Sequence, residues 1–206
     1  MNKIKILIAD DHAVVRIGLT ALLNAEKDMQ VVGQAKDGDE AVSQALVTQP
    51  DVIIMDLRMP TTSGDLATQR LMDRLPSVKV IILTSYGEAD GVAHALEAGA
   101  SGAISKTAED AVLVSVIRRV AAGERYISPE IKKLLKESPP VPKLTSRQQE
   151  ILDYMVKGLT NKDIANLLNI REDSVEEHVN LILAKLDAAN RTEAVAIALR
   201  KHLLTI

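Results

Sequence analysis

The chain has no cysteine, no tryptophan and no phenylalanine, and only three tyrosines among its 206 residues. Without cysteine, disulfides and thiolate metal sites are excluded. With only three aromatic rings a stacking platform for single-stranded nucleic acid is nearly ruled out, and the core must be aliphatic. Long apolar runs are also missing: none approaches the roughly 20 residues of a membrane-spanning helix. Met1-Asn2-Lys3 passes directly into Ile4 and Ile6, without the basic segment, apolar core and cleavage site of a secretory signal. The formal net charge is only −3, so the chain as a whole does not announce a polyanion partner. Its 47% hydrophobic and 26% charged residues are a soluble globular balance, and a cytoplasmic protein with no membrane partner is expected.

What is present divides in two. In residues 1–122, Lys5–Ala9, Val31–Ala35, Val52–Met55, Val80–Leu83 and Gly102–Ser105 are short apolar runs. Between them lie helically spaced sets such as Val14-Val15-Leu19-Leu22-Leu23, Val92-Ala95-Leu96 and Val112-Val116-Ile117-Val120. Apolar strands alternating with amphipathic helices predict βαβ units, here an α/β domain with a five-stranded, doubly wound parallel sheet covered on both faces. Gly123 reads as a helix stop, and residues 123–142 as a linker that includes a short helix over Pro129–Lys136. Ser138-Pro139-Pro140-Val141-Pro142 is the clearest break, because clustered prolines forbid helix continuation.

Residues 143–206 carry no strand signal and form a smaller all-α domain. One helix runs from Thr145-Ser146 through Ile151, Leu152 and Met155 to Gly158. The others cover Asn161–Leu168, Glu172–Leu186 and Thr192–Leu204. The tight turn Asn169-Ile170-Arg171 between the second and third matches helix-turn-helix spacing, a pattern that other small helical bundles share.

In a parallel α/β sheet, ligands bind beyond the carboxyl ends of the strands. There the first strand ends in Asp10-Asp11, the third in Asp56, the fourth in Thr84-Ser85 and the fifth in Lys106. Clustered carboxylates repel one another, and a hard divalent cation such as Mg²⁺ relieves that repulsion in an all-oxygen site. Asp56 then serves as a nucleophile toward a phosphoryl group, with the metal and the lysine neutralising its oxygens and Thr84 donating a hydrogen bond. Taken singly, such carboxylates have a plainer reading as caps of the following helices; five fitting residues at the strand ends favour a site. His12 reads as a helix-start residue. A dinucleotide fold needs a glycine-rich turn where this chain has Asp10-Asp11-His12. An aspartate-nucleophile phosphatase would carry a second carboxylate where Arg58 stands, so turnover of external substrates, and with it an enzyme, is not expected.

Ile8-Ala9-Asp10-Asp11-His12, Ile54-Met55-Asp56-Leu57-Arg58-Met59-Pro60, Leu83-Thr84-Ser85 and Ser105-Lys106 resemble the signature set of receiver domains, which are flavodoxin-like. Leu144-Thr145-Ser146-Arg147-Gln148-Gln149-Glu150-Ile151-Leu152, Gly158-Leu159-Thr160-Asn161-Lys162-Asp163-Ile164-Ala165 and Lys185-Leu186 resemble a LuxR-type output domain. Together they resemble the NarL/LuxR (FixJ) family of response regulators over essentially the whole chain. The resemblance implies that Asp56 is the phosphoacceptor, served by a partner histidine kinase. It implies that Asp11, Asp56 and the backbone carbonyl of Arg58 hold Mg²⁺, with Asp10 acting through water, and that Thr84 and Lys106 hold the phosphoryl group. It further implies a homodimer paired through the last helix (Val195, Ile197 and Ala198 being candidates) on double-stranded DNA.

Two departures bear on these expectations. The family's fifth-strand aromatic is here Ala103, which has no rotamer to change, so activation is expected to rely on loop and helix movement or to couple weakly to phosphorylation. Tyr86 is expected either to screen the acyl phosphate from water or to be a surface tyrosine packed on a helix. The third output helix, in place of the usual lysine, carries Glu176 and then Glu177, and from Glu172 to Lys185 four acids face one base. Candidate DNA contacts are Asn161, Lys162, Ser174, Glu176, Glu177, Asn180, Lys185 and Arg191. Glutamate accepts from cytosine but is repelled by phosphates, so a second reading has this domain dock on a protein with a basic face.

Overall fold

The structure, a computed structural model, describes residues 3–85, 88–137, 144–201 and 203–204. Tyr86 and the Ser138–Pro142 break lie outside the described residues. The chain divides into two compact units, Met1–Pro139 and Pro140–Ile206.

In the first unit, strands β1 (Ile4–Ala9), β2 (Met29–Ala35), β3 (Val52–Asp56), β4 (Lys79–Thr84), β5 (Gly102–Ser105) and β6 (Tyr126–Ile127) form one sheet in the order β2-β1-β3-β4-β5-β6. Every pairing is parallel. Helices α1 (Ala13–Ala25), α2 (Gly38–Thr48), α3 (Gly64–Arg74), α4 (Ala89–Glu97), α5 (Asp110–Ala121) and α6 (Pro129–Glu137) connect and follow the strands. Successive strand residues point to opposite faces, and both faces are covered. Leu7, Ile53, Met55 and Ile82 pack with Ala41 and Ala45 of α2, Ala67 and Leu71 of α3 and Val92 of α4. Ile6, Ile8, Ile54, Ile81 and Leu83 pack with Leu23 of α1 and Leu113 and Ile117 of α5. Two dry faces explain why the strands read as continuous apolar runs.

The sheet has six strands where the sequence predicts five. Tyr126 and Ile127 pair with Gly102 and Ala103, and Ile131 of α6 is buried in the core, with Leu134 and Leu135 packed against it. Most of the stretch expected as a linker therefore belongs to the first unit. A two-residue strand is too short for alternation to reveal, and the apolar stripe of α6 needs a partner to bury it. The strand order reverses between β1 and β3, and the crevice outside that reversal is where this architecture places ligands.

The second unit consists of α7 (Ser146–Val156), α8 (Asn161–Leu168), α9 (Glu172–Leu186) and α10 (Arg191–Arg200). Ile151, Leu152, Met155, Ile164, Val175, Val179, Ile182, Leu186, Ala194, Ile197 and Ala198 are buried in its core. Capping boxes open two helices: Thr145 with Gln148 on α7, and Thr160 with Asp163 on α8. Asn169, left-handed at φ 51°, ends α8 and sets the turn into α9. The last helix is shorter than the expected Thr192–Leu204, ending at Arg200.

Candidate functional site

The five strand-end residues do converge. Asp10 follows β1, Asp56 closes β3, Thr84 closes β4 and Lys106 follows β5. The Lys106 ammonium lies 2.8 Å from Asp56 Oδ2 and 2.8 Å from Asp10 Oδ2. Asp10 is 1% exposed and Asp56 3%, so two carboxylates share one cation in a poorly solvated crevice. Asp11 is more open, and ligating atoms of Asp10, Asp11, His12 and Asp56 all lie within 4.8 Å of one another.

The electrostatics follow from burial. Burial pushes the Asp56 carboxyl above its ordinary range, and Lys106 and the Arg58 main-chain N–H only partly pull it back. Burial alone would push the Lys106 ammonium down, but Asp10 and Asp56 outweigh it and hold the group above its ordinary value. Asp10 also has a purely structural role, since its Oδ1 accepts the His12 main-chain N–H at 2.8 Å and fixes the turn into α1. Its Oδ2 is different. It is buried, and among the described residues it meets only the Lys106 ammonium. An oxygen-rich crevice in which buried carboxylates share one ammonium fits a hard divalent cation. The His12 imidazole turns to Asp11 Oδ1 at 2.7 Å and Asp10 Oδ1 at 3.1 Å.

One residue of the site carries no motif signal. Glu88, immediately before α4, sends Oε1 to Arg58 Nε at 2.7 Å. Its Oε2 accepts the Thr84 hydroxyl and, at 3.1 Å, the Ser85 main-chain N–H. The Thr84 hydroxyl is thus engaged away from Asp56. The only trace of this in the sequence is an acid four positions beyond Thr84, at the start of a helix.

The loop after Asp56 is tightly built. A side chain at Gly64 would bring its Cβ to 2.0 Å from the Asp56 carbonyl oxygen, so only glycine fits. Its N–H bonds to the Leu57 carbonyl at 2.9 Å. Thr62 donates to Asp39 Oδ1 at 2.9 Å, and Arg70 reaches the same oxygen at 2.5 Å, tying the loop to α2 and α3. Ala103 is fully buried on β5.

In the second unit, Lys162, Glu176, Glu177 and Asn180 are exposed, while Asn161, Ser174, Lys185 and Arg191 are partly buried. Arg191 is spent internally, bonding Asn161 Oδ1 at 3.0 Å and the Leu159 carbonyl at 2.5 Å; burial lowers its pKa. Lys185 donates to Gln148 at 2.9 Å. The candidate pairing residues differ in exposure. Ile197 is 8% exposed and Ala198 0%, both inside the unit's own core, and Val195 is half-buried. The large apolar side chain that α10 exposes, among the described residues, is Leu199, 51% exposed.

Residues 6–118 match the response regulator receiver domain family, and residues 142–198 match the bacterial regulatory proteins of the luxR family. The oxygen regulatory protein NreC of Staphylococcus carnosus (strain TM300) is 41% identical over 214 residues, covering 97% of this chain and 99% of that protein. Among solved structures, response regulator ChrA of a heme-sensing two-component system is 34% identical, with 99% of this chain and 100% of that one covered and a TM-score of 0.60. A LuxR-family two-component response regulator from Aurantimonas sp. SI85-9A1 is 33% identical, with 66% and 97% covered and a TM-score of 0.62. With a receiver pocket in its first unit and a LuxR-type helical domain in its second, this chain belongs to the NarL/LuxR family of response regulators.

Proposed function

We propose that Asp56 accepts a phosphoryl group from a sensor histidine kinase, and that the phosphorylated chain acts in the cytoplasm as a homodimer that binds double-stranded DNA and regulates transcription. The observation that carries the first half is the placing of one lysine, Lys106, against both Asp56 and Asp10 at the mouth of the sheet. A carboxylate oxygen of Asp56 forms the new O–P bond as the N–P bond of a kinase phosphohistidine breaks. The imidazole nitrogen leaves with that electron pair and takes up a proton. Lys106 neutralises the charge gathered on the phosphoryl oxygens. Thr84, once free, donates its hydroxyl to one of them. Asp11, Asp56 and the Arg58 backbone carbonyl would hold Mg²⁺, with Asp10 acting through water; when bound, the cation offsets the charge of acceptor and phosphoryl group. Incubation with acetyl phosphate and Mg²⁺ tests this: one phosphate should appear by mass spectrometry in the wild type and none in Asp56→Asn.

The second half draws on the luxR-family match of residues 142–198 and on the likeness to NreC, named an oxygen regulatory protein. A second reading, in which the output unit docks on a protein with a basic face, is favoured by one observation. Glu176 and Glu177 are exposed on α9 and take part in no ion pair among the described residues. Selection of sites from fragmented DNA across a salt series, with and without beryllofluoride, separates the two. Paired half-sites enriched by beryllofluoride support DNA; no binding at low salt in either state supports a protein partner.

A further inference from the structure

We infer that Glu88 is a positioning residue: it latches Thr84 in the unphosphorylated setting and must let go when a phosphoryl group arrives at Asp56. The inference rests on the phosphoacceptor reading above. Three contacts make the latch. The Glu88 side chain is 8% exposed, with Oε1 at 2.7 Å from Arg58 Nε. Its Oε2 accepts from the Thr84 hydroxyl and from the Ser85 main-chain N–H at 3.1 Å. Arg58 stands two residues after Asp56, and Ser85 follows the end of β4. One carboxylate therefore clasps both loops that flank the phosphoacceptor.

A hydroxyl has one hydrogen to give. Thr84 is completely buried, and while it donates to Glu88 it cannot donate to an oxygen on Asp56. Binding of a phosphoryl group at Asp56 therefore competes with the Thr84–Glu88 bond. The newcomer is the stronger competitor on two counts. It brings three acceptor oxygens, and its charge of roughly −1.5 to −2 repels a poorly solvated carboxylate nearby.

Release has a mechanical consequence. Glu88 is the N-cap residue of α4, its carbonyl accepting the Val92 N–H at 3.0 Å. Displacing its side chain frees the first turn of α4 from both loops. Ala103 is fully buried and has no side-chain torsion with which to respond, so the rearrangement falls to Glu88 and the helix it starts.

The test is a titration of beryllofluoride with Mg²⁺ into the full chain, followed by the fluorine NMR signal of the bound group, for wild type, Glu88→Ala, Glu88→Gln, Thr84→Ala and the Thr84→Ala/Glu88→Ala double variant. Folding is checked by circular dichroism. Removing a charged competitor for one hydrogen bond should tighten binding roughly tenfold in Glu88→Ala. Glu88→Gln, which keeps an oxygen but not the charge, should show a smaller gain in the same direction. The gain should shrink to the part due to charge repulsion alone when Thr84 is already alanine, which a merely structural role would not produce. Unchanged or weaker binding in both Glu88 variants beside a binding wild type, or a gain that persists undiminished in the Thr84→Ala background, overturns the latch. Failure of wild type and Glu88 variants alike to bind overturns the phosphoacceptor reading itself, and the latch with it.

Discussion

Lys106 meets Asp56 at 2.8 Å although β4 lies between the strands that carry them, and the same ammonium touches Asp10 at 2.8 Å. A single cation following β5 thus holds together two buried acids from the ends of β1 and β3. Removing it leaves the acids uncompensated. Lys106→Ala should lose about 3 kcal/mol at neutral pH in urea unfolding with chelator present. Added Mg²⁺ should restore part of that loss; a stability equal to wild type without metal would contradict the arrangement.

Asp56 is the opposite case. Its carboxyl is held above the usual carboxylate range by burial, so the folded chain grips that proton more tightly than the unfolded chain. Its contribution therefore falls as pH rises from the unfolded value of 3.8 through the raised folded one. Asp56→Asn should melt higher than wild type at pH 7 without Mg²⁺, the difference shrinking toward pH 4. A lower melting temperature at pH 7 would refute the account.

Gly64 tests the rigidity of the loop. Its α-carbon faces the Asp56 carbonyl so closely that a methyl group would sit 2.0 Å from that oxygen. Gly64→Ala should cost about 2–3 kcal/mol of stability and slow phosphate uptake from acetyl phosphate. Retention of both would show that the loop can move aside.

On the far side of the first unit, Arg118 grips Asp28 with two bonds of 2.8 Å and also reaches Glu26 at 2.7 Å. The guanidinium lowers the Asp28 carboxyl to about 2 from an ordinary 3.8. The pair's stabilisation is thus complete above pH 3.8 and lost as pH falls toward 2. In Arg118→Ala, NMR titration should return the Asp28 midpoint close to 3.8, and the acid limb of the stability curve should flatten. An unmoved midpoint would assign the shift elsewhere.

Glu176 and Glu177 decide how α9 meets a polyanion. The double variant Glu176→Lys/Glu177→Lys should bind arbitrary duplex DNA more tightly and steepen the logarithmic salt dependence by roughly one per added phosphate contact. An unchanged slope would show that this face never approaches the backbone.

The strand-end residues are legible in the sequence because parallel strands deliver their last residues to one edge whatever the details of packing. Asp10, Asp56, Thr84 and Lys106 follow from that logic alone. Glu88 does not, because its role depends on the path of the chain between Thr84 and α4, and an isolated glutamate before a helix reads as an ordinary first-turn acid. Ile197 and Ala198 read as pairing residues for a related reason: an apolar helix face looks the same whether its own domain or a second copy covers it.

Local sequence is enough to set the alternation of strands and helices, the starts of α7 and α8 through their capping boxes, the acidic pocket and the acidic face of α9. These depend on neighbours within a few residues or on a periodicity of two or 3.6. Packing had to decide that β6 and α6 join the first unit's core, that Arg191 is consumed in holding Asn161 and the Leu159 carbonyl, and that Thr84 is claimed by Glu88. Each of these joins different elements of the fold, and which groups meet there is fixed by how the elements pack rather than by local pattern.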